Sequence, residues 1–377
     1  MRELAVRTAF ELGAGAVRVA SARRDERTEA SMREAFTRGD LATWPYDRAY
    51  ARKAAAPEGL LPGARCVICV AVPYATPPAR PAPLSGRVSR YAWSRDYHRR
   101  VRAMLVQIAA RIDAAAGGSV TAVACDTKPI AERAFAARAG LGWIGKHTNL
   151  IAPRLGSFVF LGEIVTTLDL ALDEPLRTSC GSCSRCVAAC PTAALRGDYT
   201  IDATRCIADL TQRKDGIPRE LRPALGLWVW GCDICQEVCP PTQLAGESAA
   251  LENRPLSEMT ATPSLVDLLN LRSGEFARSF RDTAMGWRGA AVLRRNAAVA
   301  LGNSLDRSAV PALREALGGD SHPMVRGHAA WALGRIASPA AIAALRSALA
   351  SEADAGVREE ISLALEPLWS ENALERP

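Results

Sequence analysis

Four cysteines fall within eleven residues, Cys180, Cys183, Cys186 and Cys190, and Pro191 follows the last. The spacing is C-x2-C-x2-C-x3-C-P, and few folds accommodate it. A compact loop can wrap three thiolates around one face of an iron–sulfur cubane, while the fourth, a helical turn further on, points to a neighbouring cluster. A second group, Cys232, Cys235 and Cys239, precedes Pro240, and Cys206 lies between the two groups. The crossing rule divides the eight thiols into two sets. Cys180, Cys183, Cys186 and Cys239 are expected to hold one [4Fe–4S] cluster, and Cys190, Cys206, Cys232 and Cys235 the other. Relative to a simple ferredoxin run, Cys206 is separated from Cys232 by an insertion. The competing reading is a pair of structural zinc sites, whose ligands usually come as separated C-x2-C knuckles without the trailing C-P.

The other three cysteines read differently. Cys66 and Cys69 lie on an expected strand, where residues three apart point to opposite faces and cannot chelate one metal. Core packing suits them, and it suits Cys125. The N-terminal stretch lacks the apolar h-region and cleavage site of a signal peptide, and no apolar run is long enough to span a bilayer. A cytoplasmic protein with no membrane partner is therefore expected, and clustered thiols there point to metal or catalysis rather than disulfides.

The chain has 377 residues, enough for two or three domains. Residues 1–170 read as an α/β (α+β) domain. "MRELAVRTAFELGAGAVRVA" reads as a first helix; "RCVICVAVPY" (65–74), "SVTAVACDT" (119–127) and "GSFVFLGEIVTTLDL" (156–170) read as strands. "PIAERAFAARAGLG" (129–142) reads as a helix that Pro129 opens and Gly140 or Gly142 closes. A long proline-rich loop, "AVPYATPPARPAPLSGR", lies between the first two strands. Residues 171–245 form the ferredoxin-like two-cluster domain, and 246–275 a connector.

Residues 276–377 repeat. "RRNAAVALGN", "VRGHAAWALGR" and "VREEISLALEP" align on Arg295, Arg326 and Arg358, with periods of 31 and then 32 residues. "AVPALREAL" (309–317) answers "AIAALRSAL" (341–349), so each unit carries two helices. This is the pattern of HEAT-like all-α solenoids, whose helix pairs must stack to bury their apolar faces.

Two clusters imply single-electron delivery to something the rest of the chain holds. No G-x-G-x-x-G follows a strand and no G-x-x-x-x-G-K-[ST] is present, so a nucleotide reading has little support. Asp126 falls at the end of an expected strand beside a helix start, an edge where open α/β sheets place ligands. The plain alternative is a helix N-cap, which aspartate fills well. A proton donor there must hold its proton against a helix N-terminus that favours the anion; burial beside an apolar cofactor would raise its pKa.

The stretches "DTKPIAERAFAARAGLGWIGKHTNLI", "SRYAWSRDYHRR", "LLPGARCVICVAVPY" and "GCDICQEVCP" together closely resemble the epoxyqueuosine reductase family, over nearly the whole chain. The resemblance implies a cobalamin beside the two clusters, held in a nitroreductase-like N-terminal domain. It implies reduction of the epoxide of epoxyqueuosine at the tRNA wobble position, with Asp126 as the proton donor and electrons from an external one-electron donor. It sets Tyr97, His98, Asp126, Trp143 and Lys146 near the cobalamin.

With tRNA as the implied partner, Arg294, Arg295 and Arg326 form a ladder suited to phosphates. The alternative is that repeat arginines pair with carboxylates of the next repeat. The net charge of +7 permits a polyanionic partner without demanding one. A monomer is expected. Two rival functions remain at this point. A reductive dehalogenase uses the same cofactor types, but its family typically carries an export signal, and Arg23-Arg24 here precede no apolar stretch. An electron-transfer module docking through its repeats would need neither Asp126 nor a corrinoid pocket.

Overall fold

A computed structural model describes residues 1–79, 82–247 and 253–373. Arg80 and Pro81 of the proline-rich loop, residues 248–252 of the connector and 374–377 lie outside the described residues. The chain divides into two units. One comprises residues 1–77, 96–206 and 233–254, the other 78–95, 207–232 and 255–377.

The first unit is built on a four-stranded sheet. Strand β1 (Ala16–Ser21) pairs with β2 (Cys66–Pro73), β2 with β4 (Val159–Thr166), and β4 with β3 (Thr121–Ala124). Every pairing is antiparallel. The unit is thus of the α+β kind, and the parallel-sheet rule about ligand edges is not what positions Asp126. Strand β2 is buried along nearly its whole length, as its unbroken apolar run implies. The expected first helix is shorter than its apolar spacing suggested. Helix α1 (Arg2–Glu11) stops before Gly13, and Val17 lies on β1 instead.

Helix α2 (Tyr97–Ala116) covers one face of the sheet. Asp96 caps its start, Gly117 ends it in a left-handed turn, and Val101, Leu105, Ile108 and Ile112 form its buried stripe. Gly162 of β4 lets it sit close, since a Cβ there would come within 2.7 Å of Leu105. The short helix α3 (Glu132–Arg138) covers the other face, where Phe135 and Ala136 pack on Val67, Cys69, Ala124 and Val165.

The cysteine segments 180–206 and 233–242 belong to this same unit. The turn at Gly156 holds the second of them. Gly156 has φ +68°, and a Cβ there would lie 2.6 Å from the Cα of Thr242. Ser157 N–H donates to Thr242 Oγ1 at 3.0 Å.

The second unit stacks α4 (Ala290–Ser304), α5 (Val310–Gly319), α6 (Pro323–Ile336), α7 (Pro339–Ser351) and α8 (Ala355–Ala373). Short helices Glu258–Ala261 and Leu265–Leu269 lie within the expected connector. Gly302 and Gly334 hold equivalent repeat positions. A Cβ would meet Ala332 at 2.8 Å in the first case and Ala364 at 2.6 Å in the second. The repeat therefore needs glycine where one helix crosses the next.

The insertion between Cys206 and Cys232 packs onto these repeats. Asn296 donates to the carbonyls of Thr211 and Val229, and His328 Nε2 accepts Ile217 N–H. Arg219 and Arg222 both pair with Glu360.

Candidate active site

Asp126 follows β3 by two residues and takes φ +53°, a left-handed conformation that aspartate tolerates better than most residues. It is not the N-cap of α3; Ala131 holds that place, so helix formation does not explain Asp126. Its carboxylate accepts from His98 Nε2 at 2.7 Å and from Tyr97 Oη at 3.3 Å. The other imidazole nitrogen, Nδ1, lies 2.6 Å from Asp96, whose carboxylate also caps α2 through His98 N–H. The first turn of α2 thus delivers the "DYH" element to Asp126.

Two carboxylates around one imidazole fix its charge. Burial pushes His98 down, but Asp126 and Asp96 outweigh it and lift the pKa to about 9. The hydrogen bond from His98 holds Asp126 below the usual carboxylate range against the opposing pull of burial. This reverses the expectation that burial would raise the Asp126 pKa. At neutral pH the proton of the pair sits on His98. More than half of the Asp126 side chain (57%) is exposed, which leaves it open to a substrate.

Aromatic rings wall the site. Tyr97 stacks on Phe160 at 4.2 Å and 3°, and Phe160 stacks on Tyr74 at 4.2 Å. Tyr50 lies beside Asp126 and Glu132, and burial, then Tyr46 and those two negative neighbours, raise its phenol to about 12. Asp96, Tyr50 and Glu132 were not singled out from the sequence. Asp96 had a local signal, two residues before His98; the others had none.

The remaining expected cofactor residues separate. Among the described residues, Trp143 and His147 each bury a ring nitrogen, Nε1 and Nε2, with no partner. Burial lowers His147 to about 4, and its Nδ1 accepts Asn149 N–H, so Nε2 carries a hydrogen with no acceptor. Two buried donors without acceptors fit a ligand rimmed with carbonyl groups, as the carboxamide arms of a corrinoid are. Lys146 turns elsewhere. Its Nζ donates to Gly181 O at 2.9 Å, within the first cysteine loop.

Three of the cysteines feel other thiols close by. Burial first, then Cys180 and Cys239, raise Cys186; Cys239 in turn is raised by burial and feels Cys180 and Cys183. Burial, then Cys206, Asp233 and further Cys186 and Cys190, raise Cys235. Thiolates that repel one another in a buried place fit a strongly cationic cluster, which would reverse that penalty. Among the described residues, no three such side chains converge on a point a single ion would fill. Cys66, Cys69 and Cys125 are buried apart from these groups.

The arginine ladder faces inward. Arg295 is fully buried and donates to Asn296 Oδ1 and to the carbonyls of Leu210, Arg213 and Asp215, so it has no surface to offer a phosphate. Arg294 grips Asp320 at 2.7 and 3.1 Å. Arg326 grips Glu352 through two bonds of 2.8 Å. These are the carboxylate pairs of the alternative reading.

Three family models match the chain: an epoxyqueuosine reductase QueG domain over residues 55–127, a 4Fe-4S double cluster binding domain over 179–242, and HEAT repeats over 289–366. An epoxyqueuosine reductase of Lactococcus garvieae is 39% identical over 268 residues, which is 70% of this chain and 76% of the relative. The chain is also similar to a crystal structure of epoxyqueuosine reductase with a tRNA-Tyr epoxyqueuosine-modified stem loop. The TM-score is 0.90 at 32% identity, covering 97% of this chain and 98% of that one. The epoxyqueuosine reductase of Bacillus subtilis, described with its aspartate-bearing catalytic loop swung out of the active site, matches with a TM-score of 0.89 at 32% identity, over 97% and 98% of the two chains.

Proposed function

The chain belongs to the epoxyqueuosine reductase family, and from that premise we propose how its residues reduce the epoxide of epoxyqueuosine, at the wobble position of tRNA, to queuosine. The overall change takes two electrons and two protons, leaves an alkene and releases water. When bound, a cobalamin supplies a strongly reducing cobalt centre, and the two [4Fe–4S] clusters feed it single electrons from an external donor.

Trp143, His147, Tyr97, His98 and Asp126 are the residues that would hold the cobalamin, and the buried ring donors of Trp143 and His147, without acceptors among the described residues, support that reading. Lys146 bridges from this segment to the first cysteine loop. The ligand sets are those of the crossing rule: Cys180, Cys183, Cys186 and Cys239, then Cys190, Cys206, Cys232 and Cys235. The neighbours of Cys186 and Cys239 support the first set, while Cys235 feels Cys206 and Cys190 of the second and Cys186 of the first.

Asp126 delivers the proton to the oxygen leaving the epoxide carbon, which would otherwise depart as an alkoxide or hydroxide. The observation that carries this role is the 2.7 Å contact with His98. Asp126 alone is ionised, so the proton comes from the imidazolium, crosses to the carboxylate and passes on. Solvent then recharges the pair for the second proton. Asp96 keeps the imidazole oriented and charged throughout. The loop that carries Asp126 is expected to leave and re-enter the site, as in the Bacillus subtilis relative. The tRNA is bound through groups other than Arg295.

The test is anaerobic. The protein is reconstituted with iron, sulfide and cobalamin, reduced, and given tRNA carrying epoxyqueuosine. Nucleoside mass spectrometry should record the loss of one oxygen, and cobalamin absorbance should travel with the protein through gel filtration. Protein with full clusters and bound cobalamin that leaves the nucleoside unchanged would reject the reading.

A further inference from the structure

Behind the Asp126 loop lies a pair of acids that the reaction above does not use. Glu163 sits on β4, opposite Ala124 of β3 and Cys69 of β2. It is fully buried on the face that α3 covers, amid Cys69, Ala124 and Val165. Among the described residues, neither of its carboxyl oxygens has a donor. An ionised carboxylate in such a place is prohibitively unfavourable, so Glu163 keeps a proton, first through burial and then through the negative charge of Glu132. Glu132, the first residue of α3, is the charged neighbour that acts on it most strongly. Glu132 in turn accepts the backbone N–H of Asp126. Asp126 stands in the left-handed region, and the hydrogen bond from its N–H to Glu132 helps to hold it there.

We propose that Glu132 and Glu163 are positioning residues: sharing a proton, they latch the backbone of Asp126 in its reactive place, and loss of that proton frees the loop. The inference rests on Asp126 being the acid.

The surrounding charges leave the pair no other counterweight. Arg133 is the nearest cation, and its guanidinium donates to Thr148 O at 2.6 Å. Tyr50 on one side and Cys69 and Cys125 on the sheet side are all raised by burial and remain neutral. Asp126 adds a third negative group, balanced by His98 on its far side. Ionising both glutamates would set two carboxylates against each other in an apolar pocket.

The sign follows from linkage. Burial raises Glu132 in the latched state, whereas a released Glu132 in water returns toward an ordinary value of about 4.3. Glu163 is likewise raised. The latched state therefore binds protons more tightly, is favoured at low pH, and weakens as pH rises through the raised values.

Hydrogen exchange of the full-length protein tests this without cofactor or substrate. Protection of the amides at 126–128 should fall in the wild type between about pH 6 and about pH 8, after correction for intrinsic rates. Glu132→Ala should lower it about tenfold or more at every pH, while β2 and β4 keep theirs. Glu163→Gln, whose amide donates permanently to Glu132, should keep the protection and lose its pH dependence. The proposal is overturned if Glu132→Ala leaves the loop protected, or if β2 and β4 lose protection equally. It is also overturned if Glu163→Gln responds to pH like the wild type. None of these readings depends on turnover, so an inactive enzyme would leave the test intact.

Discussion

An aspartate held ionised by an imidazolium has no proton of its own to give, so His98 sets the pH range of this site. The proton-bearing pair exists below the His98 pKa of about 9 and is lost as pH rises through it. Turnover should therefore show an alkaline limb near that value. In His98→Gln the limb should move down by about two units or more, toward the carboxyl's own range, with KM for tRNA unchanged. A pH–rate profile of both proteins checks this. The same pairing contributes to folding. Its stabilisation is fully present below about pH 6.5 and fades as pH rises through about 9. The surrounding motif singled out Asp126 in the sequence. That its pKa is lowered was not visible there, because the cause lies 28 residues earlier in the chain.

At the scale of elements, close packing and internal pairing decide what can be changed. Gly156 combines a left-handed backbone with a 2.6 Å approach to Thr242. Gly156→Ala should cost about 2 kcal/mol or more and push Cys239 from its place. Iron and sulfide counts per chain after reconstitution should fall accordingly. Arg326 holds Glu352 and the carbonyl of Asp320 between repeats. Arg326→Gln should lower stability by about 1–2 kcal/mol in thermal denaturation while changing tRNA affinity less than about threefold. The repeat itself was legible in its recurring helices, but its first register was one residue off: Gly302 and Gly334, like the Arg294–Asp320 and Arg326–Glu352 pairs, recur at 32 residues, so Arg294 and not Arg295 is the counterpart of Arg326. The inward direction of Arg295 was not legible, since its acceptors at Leu210, Arg213 and Asp215 belong to an insertion some eighty residues away. The N-terminal misreading has a local cause: the apolar spacing of 1–20 does not reveal that the helix ends before Gly13.

The whole molecule joins two kinds of sequence information. The two-cluster segment is legible because metal geometry fixes the spacing of its cysteines, whereas the grouping of Asp96, His98, Asp126 and Glu163 depends on how helix and sheet come together. On the proposed reading, the +7 charge adds a non-specific attraction to tRNA. Affinity should fall about tenfold or more between about 50 and 200 mM salt, as filter binding at several salt concentrations would record. The measurement that bears most directly on the account compares wild type with Asp126→Asn at matched iron, sulfide and cobalamin loading. The rate of oxygen loss from tRNA-borne epoxyqueuosine is followed by nucleoside mass spectrometry. The account predicts a fall of about a hundredfold or more with tRNA affinity unchanged. An Asp126→Asn protein that converts the nucleoside at the wild-type rate would contradict it.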